Sequence, residues 1–291
     1  MEKILRKVIP ENILLDKTTY ETIGALLKEF SIQEMKHAAS IMERIYYLGG
    51  EATTKADSPT VGDSLSEFSK LGAKAEEEAL VLYRKIIDMS KSLGDMETHD
   101  LFKKIYRDEE HHLLTFQEYA IVDDEPQPPE VEATGWLSYL SDDYFKLLNK
   151  AVAIEISAIV QYTNQHEKAS SLGLRKKVSP LEVVTQSNKA QIVSELLKPV
   201  FMQEMEHLEK ISERIYLLGG EATTTPNPLP EVGKTADDFI RLDHKAENDT
   251  IVLYKSIISE AFKRGDTTTR HMFEDIMLQE EEHYWNFDDY L

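Results

Sequence analysis

QEMEHLEKISERIYLLGG, residues 203–220, decides the fold, because the chain repeats it in altered form at 33–50 as QEMKHAASIMERIYYLGG. Within it Glu204 and His207 stand three residues apart, as Glu34 and His37 do in the earlier copy. On an α-helix such positions are about 60° apart around the axis and roughly 4.5 Å along it, so both side chains can reach one ion in a bundle core. An isolated Glu-x-x-His on a surface helix is an ordinary solvated pair. Its duplication asks for a reason.

Working outward, RIYYLGGEATT (44–54) returns as RIYLLGGEATT (214–224), an offset of 214 − 44 = 170. EEEALVLYRKII (76–87) returns as ENDTIVLYKSII (247–258), an offset of 247 − 76 = 171, one residue having been gained between KADSPTVG and TPNPLPEVG. DLFKKIYRDEEHH from 100 and HMFEDIMLQEEEH from 271 keep that register. Apolar residues in these elements recur every three or four positions with charges between them, which predicts helices throughout and an all-α class. Gly49-Gly50, Gly219-Gly220, Gly94-Asp95 and Gly265-Asp266 fall where helices should end, with each aspartate placed to cap the next helix. The proline-rich acidic stretch VDDEPQPPEVEATG (122–135) cannot continue a helix and separates a first half (1–121) from a second (136–291).

The halves are unequal. The second opens with an additional helical stretch, SDDYFKLLNKAVAIEISAIVQYTNQHEKASS, which carries Glu155, 49 residues ahead of Glu204; the same interval ahead of Glu34 falls before Met1. LRKKVSP (174–180) matches ILRKVIP (4–10), so the first repeat opens just after the missing helix. The expectation is a four-helix bundle following a three-helix incomplete one, whose open apolar groove calls for a neighbouring half, another chain or residues upstream to close it.

Carboxylate-bridged di-iron bundles take one glutamate from each of two helices and a Glu-x-x-His from each of two others. The second half offers that set complete: Glu155, Glu204 with His207, Glu247, and Glu280 with His283. Four carboxylates offset most of the charge of two divalent ions, and two imidazoles leave positions open for O2 or peroxide. Fe and Mn both accept these donors. The first half supplies Glu34, His37, Glu76, Glu109 and His112, one ligand short. Glu2, Glu11 and Glu21 are poor substitutes, lying on or before the early part of the helix that carries Glu34. Tyr162, Tyr254 and Tyr83 each follow a ligand glutamate by seven residues, two turns along the same face, where a phenol either bonds a ligand or simply packs. His111 is replaced by Glu282 in the other copy and so faces outward; His166 is too far along its helix from Glu155 to share its metal; His244, three before Glu247, is a supporting or surface residue.

The motifs EISAIVQY (155–162), QEMEHLEKISERIYLLGG, the LDHKAE run ending at Glu247, and QEEEH (279–283) together resemble the bacterioferritins of the ferritin-like superfamily over four helices. The first half resembles them through QEMKHAASIMERIYYLGG, Glu76 and DEEHH (108–112). The resemblance implies a ferroxidase di-iron centre at Glu155, Glu204, His207, Glu247, Glu280 and His283, with iron storage or detoxification and homo-oligomeric assembly. It also implies haem held at Met35 and Met205, although a thioether there serves equally as packing. A second reading is a rubrerythrin-like di-metal oxidase or peroxidase in oxidative-stress defence, with the first repeat as an assembly scaffold; the absence of cysteine argues against a complete rubrerythrin.

Charge narrows the partners further. Lys+Arg of 33 against Asp+Glu of 53 gives −20, which repels nucleic acid and anionic membrane and attracts cations such as Fe(II). Without cysteine there are no thiolate metal sites, clusters or disulfides. No stretch approaches the roughly 18 apolar residues of a membrane span, and no signal-peptide core opens the chain, so the expected location is the cytoplasm.

Overall fold

The computed structural model describes residues 17–55, 59–62, 64–120, 140–174 and 182–291, among which there are seven helices and no strand. They are α1 (Lys17–Tyr47), α2 (Leu65–Leu93), α3 (Met96–Tyr119), α4 (Asp142–Leu174), α5 (Glu182–Leu217), α6 (Ala236–Arg264) and α7 (Thr267–Asp288). The stretch 122–135, the ILRKVIP and LRKKVSP segments beyond Leu174, Glu2 and Glu11, and the side chain of Glu21 lie outside the described residues.

Glycine and aspartate punctuate the helices as the sequence predicts. Gly94 and Gly265 adopt left-handed φ values of 75° and 76°, which lets the next N–H, that of Asp95 or Asp266, close back on Ser90 or Ala261 at 2.9 Å. Each aspartate then caps the following helix, Asp95 accepting from the Thr98 N–H and Asp266 from the Thr269 N–H, both at 3.1 Å. This two-residue device folds α2 against α3 and α6 against α7 as antiparallel pairs. Thr235 and Asp238 form a reciprocal capping box at the start of α6. Gly220 has a different reason to be glycine, since a Cβ there would collide with the ring of Phe145. Inside α5, Pro199 lacks the N–H that would bond four residues back, yet the helix continues.

The chain gathers into two compact units, 1–40 with 59–130 and 41–58 with 131–291. In the second, α4 packs on α5 and α6, and α7 packs on α6 and α5. Its apolar core has two parts. One gathers Tyr144, Leu148, Ile211, Ile215, Tyr254, Ile257, Phe273 and Ile276; the other gathers Tyr162, Val193, Leu197, Val200, Phe239, Ile240 and Phe287. On every helix the ligand positions fall between the two: Glu155 between Val152 and Tyr162, Glu204 between Val200 and Ile211, Glu247 between Ile240 and Tyr254, Glu280 between Ile276 and Phe287. Near one end, Asp266 accepts from Arg214 (2.9 Å) and from the Tyr144 hydroxyl (3.0 Å), tying α4 and α5 to the α6–α7 turn. The tip of α1 belongs to this unit, with the Tyr46 hydroxyl donating to Asn164 at 3.0 Å.

The first unit is built on α2, α3 and the earlier part of α1, with Phe30 edge-on to Phe116 at 5.7 Å and Tyr83 edge-on to Phe102 at 5.3 Å. Its helices are covered less completely. Tyr83 and Ile86 are half-buried, where their counterparts Tyr254 and Ile257 are wholly buried, and Leu82 is largely exposed. Among the described residues this unit has three helices, none of them a counterpart of α4. Among the described residues no helix is long and apolar enough to cross a membrane.

Candidate metal centre

Six side chains from four helices meet between the two parts of the second unit's core, none more than 1% exposed. They form two overlapping groups, Glu155, Glu204, His207 and Glu280, and Glu204, Glu247, Glu280 and His283; within each, one ligand atom per residue lies within 4.8 Å of the others. Glu204 and Glu280, from the paired Glu-x-x-His motifs, belong to both. Glu155 and Glu247 each belong to one.

Both imidazoles turn Nδ1 inward. His207 Nδ1 is 3.0 Å from Glu204 Oε2 and 3.0 Å from Glu280 Oε1; His283 Nδ1 is 3.0 Å from Glu204 Oε1 and 3.3 Å from Glu280 Oε2. Each Nδ1 thus lies between oxygens of two carboxylates, and Glu204 Oε1 and Glu280 Oε1 make no hydrogen bond. The outward Nε2 of His207 donates to Gln279 and that of His283 to Gln203, each at 2.9 Å. With Nε2 fixed as donor, the Nδ1 lone pair is the one available to an ion. The Tyr162 hydroxyl donates to Glu247 at 2.7 Å and the Tyr254 hydroxyl donates to Glu155, so each phenol crosses to the glutamate of the facing helix.

Burial and mutual contact shift the charges of all these groups. Burial, with the charges of Glu204 and Glu280, pushes Glu155 and Glu247 well above the usual carboxylate range. Burial pulls the His207 and His283 imidazoles down, but their carboxylate neighbours, Glu204 first, outweigh it and raise them to about 12 and about 9. For Glu204, burial acts upward and contact with the two imidazoles prevails, lowering it to about 2. Four carboxylates, two imidazoles and two buried glutamate oxygens without hydrogen bonds suit a pair of divalent first-row ions.

The first unit assembles only part of this. Glu34, Glu76, Glu109 and His112 form one group of the same 4.8 Å dimension, corresponding to Glu204, Glu247, Glu280 and His283. His112 Nε2 donates to Gln33 at 2.7 Å, as His283 does to Gln203. His37 stands outside the group. Its Nε2 meets Asp108 at 3.1 Å, where the second unit has Gln279, and its Nδ1 lies 3.2 Å from Glu109 and 3.6 Å from Glu34. Burial lowers the His37 imidazole, but Glu109, Glu34 and Asp108 raise it to about 10. The Glu34 and Glu76 side chains are 44% and 13% exposed.

The other histidines are elsewhere. His166 Nδ1 donates to the Ser194 carbonyl at 2.7 Å, His244 sits 3.1 Å from Asp288, and His111 is exposed. Met35 and Met205 are half-buried within the two Glu-x-x-His turns. Sequence reasoning misses Gln33, Asp108, Gln203 and Gln279; the signal is the residue directly ahead of the glutamate in QEMKH, DEEHH, QEMEH and QEEEH. It also misses Asp243, which is fully buried, accepts from Gln161 at 2.9 Å, and has its carboxyl raised by that burial.

Parts of the chain are similar to known proteins. The bacterioferritin of Desulfovibrio desulfuricans is 29% identical over 138 residues, 47% of this chain and 68% of that protein. Those of Rhodobacter capsulatus (34% over 87 residues) and Brucella melitensis (30% over 101 residues) cover 30% and 34% of this chain, which in turn spans 54% and 63% of their lengths. Among solved structures, the Desulfovibrio desulfuricans bacterioferritin, described with its di-iron site in different catalytic states, aligns over 54% of this chain and 82% of its own at 27% identity and a TM-score of 0.45. A ferritin-like di-iron-carboxylate protein of Bacillus anthracis aligns over 54% of this chain and 99% of its own, with 22% identity and a TM-score of 0.43. A model described as the ferritin-like domain matches residues 13–121 and again 183–291, once in each repeat. The chain therefore belongs to the ferritin-like domain family.

Proposed function

We propose that the second repeat oxidises Fe(II) at a di-iron carboxylate centre, with O2 or peroxide as oxidant, in the service of iron storage or detoxification. The observation that carries this reading is the pair of buried four-residue groups sharing Glu204 and Glu280. In it Glu155, Glu204, His207 and Glu280 would hold one ion and Glu204, Glu247, Glu280 and His283 the other. When bound, the ions supply reversible one-electron chemistry to an oxidant.

The protein's own contribution is arrangement. Gln279 and Gln203 fix the ring orientation of His207 and His283, leaving Nδ1 for the metal. Tyr162 and Tyr254 orient the two outer carboxylates by donating to Glu247 and Glu155, and hold exchangeable phenolic protons beside them. The apolar residues on both sides of the centre keep bulk water out, which strengthens every charge interaction within it. The net charge of −20 concentrates cations around the molecule. Homo-oligomeric assembly belongs to the same reading, since a mineral store needs a hollow particle.

The test is the double substitution Glu204→Ala with His207→Ala, assayed for iron bound per chain and for the rate of Fe(II) oxidation under O2 and under peroxide. Loss of both is expected. Unchanged iron content and oxidation rate would overturn the assignment.

A further inference from the structure

We propose that the first repeat carries an oxyanion site for phosphate, in the groove between α2 and α3. Arg84, Asp88 and Lys91 follow one another at helical spacing along one face of α2, and Lys103, Arg107 and Glu110 do so along α3; they line a groove of about 340 Å³ inside a single unit. Four cationic side chains against two acidic ones leave 4 − 2 = 2 positive charges there, in a chain whose net charge is −20. Nothing in the groove neutralises them. Among the described residues Lys91, Lys103 and Arg107 form no ion pair, and the Arg84 guanidinium is held by a neutral group, donating to the Tyr106 hydroxyl and lying 5.5 Å from that ring's centre.

The second repeat treats the same face differently. At an offset of 171, Arg84, Lys91, Lys103 and Arg107 become Lys255, Phe262, Glu274 and Leu278. Lys255 pairs with Glu281, the counterpart of Glu110, at 3.6 Å, and Glu274 pairs with Arg270 at 3.4 Å. Both helix pairs turn on the same glycine and aspartate, so the hairpin folds without the four cations and its packing does not account for them. A guanidinium presents parallel N–H donors that match two oxygens of one phosphate, and an ammonium adds a point charge. Two net positive charges match the roughly two negative charges that a phosphate group carries at pH 7. The Tyr106 ring already lies beneath Arg84, so the groove recognises the phosphate group itself and not a stacked base. Free phosphate and a phosphate monoester present the same chemistry.

The test is equilibrium dialysis of the full chain against inorganic phosphate and, separately, glycerol 3-phosphate at low ionic strength, with metal removed because Fe(III) itself binds phosphate. One saturable site per chain is expected, weakened by added sodium chloride and weakened about tenfold in Arg84→Gln with Arg107→Gln. Lys255→Gln, at the paired position of the second repeat, should leave binding unchanged. All three side chains are exposed, so these variants keep the fold. Tighter binding of the monoester assigns the site to a phosphate group carried on a larger molecule, and tighter binding of phosphate assigns it to the free ion; both support the proposal. It is overturned by the lack of saturable binding, by undiminished binding in the double variant, or by an equal loss in Lys255→Gln. Capture of poly-glutamate in place of phosphate would also overturn it and make the groove a docking surface for an acidic protein.

Discussion

Loading the second-repeat centre must expel protons, and their number follows from the structure. Without metal, His207 and His283 hold their protons up to about pH 12 and about pH 9, because each Nδ1 is enclosed by Glu204 and Glu280. An ion needs the same Nδ1 lone pairs, so two protons leave at neutral pH. Burial also raises Glu155 and Glu247 well above the usual range, and their protons bring the total toward four as the pH is lowered. Each proton displaced makes binding tighten by about 1.4 kcal/mol per pH unit. Two protons give about 2.7 kcal/mol per pH unit for the pair of ions, and four give about 5.5 kcal/mol. Affinity therefore rises with pH, and the slope shallows above about pH 9, where His283 has already lost its proton. The assay is zinc(II) titration near pH 7 in dilute buffer with an indicator dye, the release lost on Glu204→Ala with His207→Ala being that of this centre. Release of fewer than one proton per pair of ions would refute the reasoning, because the imidazoles would then be neutral before metal arrives.

The metal-free protein should show the opposite trend in folding stability. A raised imidazole stabilises the fold fully below its ordinary value of 6.5, and this is lost as pH climbs through about 9 for His283 and about 12 for His207. Glu204, lowered to about 2, stabilises fully above 4.5 and loses that contribution as pH falls toward 2. These pairings are jointly complete between pH 4.5 and 6.5. Metal should consequently raise the melting temperature more at pH 8 than at pH 6. Two further substitutions probe the surroundings of the centre. Asp266→Ala removes the α7 cap together with the acceptor for Arg214 and for the buried Tyr144 hydroxyl, and should cost about 3 kcal/mol in urea denaturation; a loss below about 1 kcal/mol would show that water replaces the carboxylate. Gln203→Leu leaves His283 Nε2 without its acceptor and should weaken zinc binding about tenfold to a hundredfold with little change in helical content; undiminished affinity would mean that packing alone orients the ring.

The ligands are legible in the sequence because Glu-x-x-His needs only the helical period to be read. Each motif lies within one helix, so its two ligands need no knowledge of the packing to be paired. Helix ends are legible for the same local reason, a glycine that accepts a left-handed backbone followed by an aspartate that caps. Partners on facing helices are not. Gln279 reaches His207 across 72 residues, and Tyr162 bonds Glu247 rather than the glutamate two turns away on its own helix. Periodicity places a side chain on the inner face without naming its partner there. Asp243, within LDHKAE, carries no signal of its own in the sequence and is wholly buried against Gln161, because the inner stripe of α6 includes it one turn before Glu247.

The difference between Asp108 and Gln279, one position in the two repeats, follows from the same electrostatics. An imidazole that binds an ion through Nδ1 has its Nε2–H fixed by a carboxylate, a carbonyl or an amide, and the amide oxygen of Gln279 does so without adding charge. A carboxylate on Nε2 favours the protonated ring, which competes with the metal. At His37 that competition is allowed to win: Asp108, Glu109 and Glu34 surround the ring, hold it as a cation up to about pH 10, and supply positive charge where the second repeat has room for another ion.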